Sequence, residues 1–221
     1  MIGIGLMADI FCLKKAGDGA DPLNYRPLAL LNTDYKILTK VLTTQLRSSL
    51  ARRVSKFQNG FVPGREIHAT LDYLSAAQRM TISSPEARNS LAILLDFAKA
   101  YDSLNRNFLY ATLRRHGYPN HFVQVIKKLH TGTTVRFLAN GTRSRKVPVS
   151  RGIRQGCPLA PLLFILAIEP LYQKLHSGTV HCGITLKTKS SRTELRVAGY
   201  ADDTAVYLRD KDELQADYKS M

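Results

Sequence analysis

The chain has 221 residues, and its content of 44% hydrophobic and 22% charged residues is typical of a globular protein, which excludes the disordered and fibrous classes. Lys and Arg number 32 against 17 Asp and Glu, and the formal net charge of +15 predicts a polyanionic partner, either nucleic acid or an anionic membrane. The longest apolar stretch, residues 158–168, is too short to span a bilayer, so we expect no membrane partner.

The first third of the chain is predicted to mix strands and helices. Residues 9–15 are predicted to form a short strand, followed by a turn-rich segment at 16–22. Apolar residues recur at helical spacing between residues 38 and 50, which predicts a long helix. Residues 57–65 contain two glycines and a proline and are predicted to form strand and loop, and residues 70–81 return to a helical pattern.

The middle of the chain contains an uninterrupted apolar run at residues 91–95 that ends in Asp96. Such a run predicts a strand buried on both faces, with a carboxylate at its end. Two helices are predicted after it, at residues 105–115 and 121–130.

A hairpin is predicted next, because residues 133–139 and 143–149 flank Asn140-Gly141. Pro158 suits the first turn of a helix that continues towards Leu175. Helices and strands therefore mix without regular βαβ alternation, which favours an α+β fold.

A second acidic site lies in the last part of the chain. Residues 194–199 and 204–208 resemble strands on either side of a bend that contains Asp202 and Asp203. If these strands neighbour the one that ends in Asp96, the carboxylates converge, and clustered carboxylates repel unless cations bridge them. Hard oxygen ligands of this kind select Mg²⁺. The alternative is that Asp202 and Asp203 are only the polar tip of a hairpin.

The positive charge is concentrated in one region. No acidic residue occurs from Ser103 to Ile168. The Lys and Arg residues of this acid-free stretch are Arg106, Arg114, Arg115, Lys127, Lys128, Arg136, Arg143, Arg145, Lys146, Arg151 and Arg154. Such a concentration predicts a surface that binds phosphate groups.

The three cysteines, Cys12, Cys157 and Cys182, lie far apart and show neither metal-finger nor redox spacing. An odd number without a pairing pattern favours a reducing compartment, so we expect an intracellular protein of the nucleus or cytoplasm rather than a secreted one.

Five motifs, in the same order, resemble those of the reverse transcriptases of non-LTR (LINE-type) retrotransposons, with group II intron reverse transcriptases as more distant relatives. The motifs are residues 24–32 (NYRPLALLN) with 34–37 (DYKI), 58–65 (QNGFVPGR), 96–102 (DFAKAYD), 152–161 (GIRQGCPLAP) and 200–203 (YADD). Together they cover nearly the whole chain.

The resemblance implies a right-hand fold, with a fingers-like region at residues 1–90 and a palm at 91–221 whose antiparallel sheet packs on helices. An insertion of the fingers is allowed within residues 105–150, and no thumb is expected, because the chain stops 18 residues after Asp203. The implied activity is RNA-directed DNA polymerisation with an RNA template, a DNA primer and dNTPs. The alternative functions are an inactive RNA-binding module that keeps the fold, and an unstable product of a decayed element.

The resemblance also implies a metal site. Asp96 and Asp202 would ligate two Mg²⁺ ions, with Mn²⁺ as an alternative, helped by the backbone carbonyl of Phe97. Asp203 would complete the acidic cluster. These three aspartates are the implied catalytic residues.

Four residues are implied to bind the nucleotide. Arg65 would contact the triphosphate, because a guanidinium fork suits phosphate oxygens. Tyr101 would be a steric gate against the ribonucleotide 2′-OH, and Gln155 and Gly156 would lie near the nascent base pair. The alternatives are a solvated loop arginine, a core aromatic ring and a turn that precedes a helix.

Three basic residues are candidates for contact with nucleic-acid phosphates. Lys36 and Lys40 lie on the predicted long helix, and Arg154 lies in the acid-free stretch. The alternative for the two lysines is a charged helix face that is only solvated.

Overall fold

The computed structural model describes residues 6–139, 141–177, 183–187 and 192–210. It divides into two compact units, and each unit consists of two separate stretches of chain. The first unit comprises residues 1–46 and 99–167, and the second comprises residues 47–98 and 168–221. The assignment of residues 1–90 to fingers and 91–221 to palm stays a prediction.

The described residues form ten strands and six helices. The strands are β1 (Met7–Lys14), β2 (Tyr25–Leu31), β3 (Leu91–Leu95), β4 (Thr134–Ala139), β5 (Thr142–Arg143), β6 (Val147–Pro148), β7 (Ile184–Lys187), β8 (Arg192–Leu195), β9 (Val197–Tyr200) and β10 (Asp203–Leu208). The helices are α1 (Thr33–Leu50), α2 (Ile67–Ser83), α3 (Ala100–Ser103), α4 (Arg106–Arg115), α5 (Asn120–His130) and α6 (Ala160–Ser177). Short 3-10 turns occur at Pro22–Asn24 and Pro85–Ala87.

The first unit contains a sheet of strand order β2-β1-β4-β5, in which β6 also pairs with β4. β1 runs antiparallel to β2 and parallel to β4. Helices α4 and α5 supply a core of fully buried side chains: Leu109, Leu113, Val123 and Ile126. α4 begins after Asn105, whose side chain accepts hydrogen bonds from the amides of Asn107 and Phe108 and so caps the helix.

The second unit contains an antiparallel sheet of order β3-β10-β9 and a separate hairpin of β7 and β8. Strand β10 lies in the middle of its sheet, and its residues from Thr204 to Leu208 are buried. Helix α2 contributes Ala77 to a core cluster that also includes Phe57 and Tyr207. Asp203 is the first residue of this buried central strand, so the strand fixes the end of the sheet at which Asp203 lies.

Most predicted elements are confirmed, but strand β7 and the short helix α3 were not predicted. Strand β2 was not predicted, and residues 57–65 form turns with one isolated bridge instead of a strand. The predicted strand at 194–199 is two strands, β8 and β9, separated at Arg196. The second arm of the predicted hairpin is divided into β5 and β6. Between them, the Ser144 hydroxyl accepts the hydrogen bond of the Phe137 amide at 2.9 Å, and the Ser144 amide donates to the Phe137 carbonyl at 2.9 Å. Asn140 and Cys182 lie outside the described residues.

The prediction that residues 91–95 are buried on both faces is wrong. β3 is the edge strand of its sheet in the described structure, and its Leu94 side chain is 75% exposed. The alternating pattern is that of one half-buried face, with Ile93 and Leu95 facing inward. A continuous apolar run therefore predicted the strand correctly but not its burial.

None of the helices in the described ranges combines the length and the apolar character needed to cross a bilayer.

Candidate active site

The structure brings the predicted acidic residues to one end of the sheet in the second unit. Leu95, the last residue of β3, pairs with Thr204 of β10. Asp96 directly follows Leu95, and Asp203 directly precedes Thr204. Asp202 lies in the two-residue turn that joins β9 to β10, since Asp203 pairs with Tyr200. The two acidic sites therefore belong to neighbouring strands, which is the condition under which the sequence analysis expects the carboxylates to converge.

The donor chemistry of this sheet end fits a hard divalent cation. Asp96 and Asp203 are exposed and Asp202 is half-buried, so their carboxylate oxygens are accessible to an ion. In the described residues, no group of three or more His, Cys, Asp or Glu side chains is already arranged to hold a metal. The carboxylates are thus of a type that suits Mg²⁺. That Asp96, Asp202, Asp203 and the Phe97 carbonyl together hold the metal stays a prediction.

One buried side chain, Gln58, binds the turn that carries Asp202. Its Oε1 accepts the Ala201 amide at 2.8 Å and the Gly60 amide at 2.8 Å. Its Nε2 donates to the Ala201 carbonyl at 3.0 Å and to the Tyr172 hydroxyl at 3.1 Å. Both polar backbone groups of Ala201 are therefore bonded to one side chain, next to the first aspartate of the turn.

This arrangement requires close approach of two backbone segments. A Cβ atom on Gly60 would lie 2.1 Å from the Ala201 nitrogen, so only glycine fits there. The Asn59 amide donates to the Gly199 carbonyl at 2.8 Å, and the Gly199 amide donates to the Phe57 carbonyl at 2.9 Å. Ala201 itself has a φ of 56°, which a residue other than glycine rarely adopts. The Gln58 contacts thus fix an unfavourable turn conformation.

Gln58 belongs to the motif at residues 58–65, but its role is not apparent from the sequence. The available signal was a polar amide two residues before a glycine within the motif at residues 58–65. Its partner, Ala201, lies 143 positions away in sequence, so no local pattern identifies the contact.

Arg65 is directed into the second unit itself. Its guanidinium donates to the carbonyls of Ser55 and Gln58, the latter at 2.7 Å, and to that of Ala51 at 3.3 Å. These bonds give Arg65 a structural role in the loop after α1. Its predicted contact with a triphosphate stays a prediction.

A buried carboxyl that the sequence did not identify lies on α6. Glu169 is 3% exposed and accepts a hydrogen bond from the Ser55 amide at 2.9 Å. Burial raises the pKa of Glu169 to about 7, and the bond from Ser55 opposes that shift. Arg65 and Glu169 therefore both form hydrogen bonds with the backbone of Ser55, in the loop after α1.

In the first unit, the predicted nucleotide-binding residues Tyr101 and Gln155 are joined through Asp102. The Tyr101 ring stacks on Phe164, with ring centroids 5.1 Å apart. Gln155 Nε2 donates to Asp102 Oδ2 at 2.9 Å. Burial raises the pKa of Asp102, and the hydrogen bond from Gln155 opposes that shift. Residues 100–103 form the helical turn α3, and Asp102 faces Gln155 from this turn.

Gly156 makes its close contact with strand β2 of the same unit. Its φ is +96°, and an added Cβ would lie 2.8 Å from the Ala29 carbonyl oxygen. The Ala29 amide also donates to the Gln155 carbonyl at 3.1 Å. Glycine is therefore required by the protein's own packing, and the role near the base pair stays a prediction.

The position of Arg154 opposes its predicted contact with nucleic acid, because the residue is only 6% exposed. Its guanidinium lies over the Tyr35 ring at 5.3 Å and donates to the Leu6 carbonyl. Within the described residues its Nε and Nη1 atoms have no hydrogen-bond partner. Lys36 and Lys40 are exposed on α1, which fits both contact with nucleic-acid phosphates and a charged helix face that is only solvated.

The acid-free stretch forms one polar pocket of about 430 Å³ in the first unit. The side chains of Arg106, Lys127 and Arg151 contribute cations to its lining. Asn105, Asn107, Thr131 and Ser150 contribute neutral polar groups. In this basic pocket (Arg106, Lys127 and Arg151), the exposed Lys127 and Arg151 have the donor types that phosphate oxygens accept.

Comparison with known sequences gives relatives over almost the whole chain. The uncharacterized 149 kDa protein of transposon TX1 from Xenopus laevis is 34% identical over 208 residues, which covers 92% of this chain and 15% of that protein. The Pol polyprotein of type-2 retrotransposable element R2DM from Drosophila melanogaster is 29% identical over 205 residues, covering 92% of this chain and 18% of that protein. The chain thus spans less than a fifth of these curated relatives.

Solved structures show the same fold. Apo telomerase from Candida tropicalis, truncated from its C-terminal domain, has a TM-score of 0.61 at 11% identity, covering 99% of this chain and 47% of that one. Telomerase from Candida albicans with a fragment of telomeric RNA has a TM-score of 0.63 at 10% identity, covering 96% and 38%. The expected α+β fold is therefore confirmed. The family profile described as reverse transcriptase (RNA-dependent DNA polymerase) matches residues 13–221. Since that match covers nearly all of the sequence, this chain belongs to the reverse transcriptase family, as its motifs predicted.

Proposed function

We propose that this chain is the polymerase part of a non-LTR retrotransposon protein, which adds dNTPs to a primer 3′-OH along an RNA template. The observation that carries the proposal is the meeting of Asp96, Asp202 and Asp203 at one end of an antiparallel sheet. The fold and the family both fit this activity, since the relatives are retrotransposon proteins.

The acidic sheet end would hold two Mg²⁺ ions, or Mn²⁺ as an alternative, through Asp96, Asp202, Asp203 and the Phe97 carbonyl. When bound, such ions lower the pKa of an attacking hydroxyl and stabilise the leaving oxygen of a phosphoryl transfer. The contribution of the chain itself is position. Gln58 keeps the turn at Ala201 in a strained conformation and so orients the carboxylates beside it.

Nucleotide recognition is assigned to the first unit. The Tyr101 ring stacks on Phe164, and this contact supports its role as a steric gate against a 2′-OH. Gln155, oriented by Asp102, presents its remaining amide groups for hydrogen bonds. Gly156 would lie near the base pair, and Arg65 would contact the triphosphate if its bonds to backbone carbonyls are exchanged.

The nucleic acid is assigned to the basic surface. The basic pocket supplies exposed Lys127 and Arg151, and α1 supplies exposed Lys36 and Lys40. Neutralising phosphates with these side chains releases counterions and so favours binding. A telomerase of this fold is known in complex with a telomeric RNA fragment, which supports an RNA partner.

Primer extension tests the activity. The chain is incubated with an RNA template, a labelled DNA primer, dNTPs and Mg²⁺, and the extended primer is measured for wild type and Asp202→Asn. We expect extension by wild type and a loss of about 10³-fold or more in the variant, because a group acting in the transition state is removed. Asp72→Asn, at an exposed position on α2, is the matched control and should extend normally.

RNA binding, measured in parallel, separates the alternative. Binding by wild type without any extension would mean that the chain is an inactive RNA-binding module that keeps the fold.

A further inference from the structure

Arg106, at the start of α4, donates to four backbone carbonyls that belong to two separate segments. Its Nε donates to Gly152 O at 2.9 Å, and its Nη1 donates to Val149 O at 2.8 Å and His130 O at 2.6 Å. Its Nη2 donates to Arg151 O at 3.1 Å. One side chain thus joins the end of α5 to the segment of residues 149–152. These four carbonyls with Arg106 are called the Arg106 cluster.

The same segment is bonded on its other side to the turn that carries Tyr101. The Gly152 amide donates to Leu104 O at 2.9 Å, and the Ile153 amide donates to Tyr101 O at 2.8 Å. Gly152 has a φ of +73°, and an added Cβ would lie 2.6 Å from Asp102 O. Residues 149–153 therefore lie between the Arg106 guanidinium and the Tyr101 turn, with no room for displacement towards the turn.

Both residues assigned to nucleotide recognition depend on this segment. Tyr101 accepts the Ile153 hydrogen bond through its own carbonyl, so the backbone that bears its ring is fixed there. Gln155 follows two residues after Ile153 and reaches Asp102 on the same turn. A shift of the segment would move Tyr101 and Gln155 relative to one another.

We propose that Arg106 is a positioning residue for nucleotide selection, acting through the Arg106 cluster on Tyr101 and Gln155. This inference rests on the proposed polymerase function. The inference goes beyond that function, because it names a residue outside the motifs on which discrimination between dNTPs and rNTPs depends.

The chemistry of the cluster explains why an arginine is needed. A planar guanidinium presents five donors in a fixed fork, whereas a lysine ammonium is a compact point charge on a flexible stem. Four carbonyls in different directions can be bonded by the first and not by the second. His130 is the last residue of α5, so its carbonyl is at the negative end of a helix, where a cation is favoured. Arg106 pairs with no carboxylate in the described ranges, so the four carbonyls, with a longer bond from Nη2 to the Thr133 hydroxyl at 3.4 Å, set its position.

The first measurement is single-nucleotide incorporation by the whole chain on an RNA template with a DNA primer and Mg²⁺, comparing Arg106→Lys with wild type. We expect kcat/KM for the matched dNTP to fall about 10- to 100-fold, as for a displacement of about 1 Å in a positioning contact. The ratio of kcat/KM for dNTP to that for rNTP should fall about tenfold, because the Tyr101 ring loses its fixed position. Arg79→Lys, exposed on α2 and without an assigned role, is the control and should leave both values unchanged.

The second measurement, hydrogen exchange of both proteins, requires no activity. The amides of Gly152 and Ile153 should exchange at least about tenfold faster in Arg106→Lys, while those of β10 keep their protection. If the dNTP preference is unchanged and only the melting temperature falls, Arg106 merely stabilises the fold and the proposal is wrong.

The two measurements also separate this proposal from the proposed function. Wild-type protein that extends no primer would defeat the proposed function. The exchange rates then still decide the positioning claim, since unchanged rates at Gly152 and Ile153 overturn it and faster rates support it.

Discussion

At the scale of single residues, Gln58 links two motifs that are far apart in sequence. Gln58→Met keeps the side-chain volume but removes every hydrogen bond to Ala201. Leaving three buried backbone groups without this partner, the amide and carbonyl of Ala201 and the amide of Gly60, is expected to lower the free energy of unfolding by about 2–4 kcal/mol, measured by urea denaturation. Primer extension should fall as well, because the turn bearing Asp202 is released. Gln78→Met, exposed on α2, is the matched control, and an equal effect there would refute the assignment.

Glu169 is predicted to make stability depend on pH. Its pKa is about 7 in the folded chain against 4.5 for an ordinary glutamate, so the folded state binds more protons between these values. Stability therefore falls as pH rises from about 4.5 to about 7, by up to roughly 3 kcal/mol from this group. Glu169→Gln keeps an acceptor for the Ser55 amide and removes the titration.

Urea denaturation at several pH values checks the Glu169 prediction. Relative to wild type, the stability of the variant should increase by up to roughly 3 kcal/mol as pH rises from 5 to 7, as the pKa shift of Glu169 requires. Glu66→Gln, at an exposed site, should keep the wild-type profile. Burial lowers the pKa of His130 to about 4, so its titration raises stability over part of the same range, and the difference between the variant and wild type is the quantity that isolates Glu169. A difference that does not change between pH 5 and 7 would contradict the assignment.

At the scale of elements, the exposed edge strand β3 is a predicted site of self-association. Leu94 is 75% exposed, and an apolar edge strand offers unpaired backbone groups to a second chain. Leu94→Thr retains a residue suited to strands and removes apolar surface, so light scattering should show less association at equal concentration. Stability should change by no more than about 0.5 kcal/mol. Leu95→Thr, on the inward face, should instead destabilise the chain.

The limits of sequence reasoning are also clearest at this scale. Periodicity located α1, α2, α4 and α5, because each helix buries one face. The acids were located because each follows or precedes a strand-like run. The burial of β3 was wrong, since a run of five apolar residues does not state whether its sheet continues on both sides. The contacts of Gln58 and Arg106 were not found, because their partners are carbonyls, which every residue has, at distant positions in sequence.

At the scale of the whole molecule, the net charge of +15 attracts nucleic acid irrespective of any pocket. Salt screens that general attraction over about 8 Å at physiological ionic strength. Direct phosphate contacts differ, because each one releases a counterion and adds about 0.7 to the slope of log K against log salt for a single strand. Net charge and local contact are therefore separable by experiment.

The basic pocket is expected to account for a measurable part of that slope. Lys127→Ala with Arg151→Ala removes two exposed cations of its lining, and the slope for single-stranded RNA should fall by about 1.4 if each contacts one phosphate. Fluorescence anisotropy over a range of salt concentrations measures it. Arg79→Ala with Arg88→Ala lowers the net charge equally at exposed positions outside the pocket and should change the slope by much less. Equal changes in the two double variants would mean that the overall charge, rather than this pocket, determines where RNA binds.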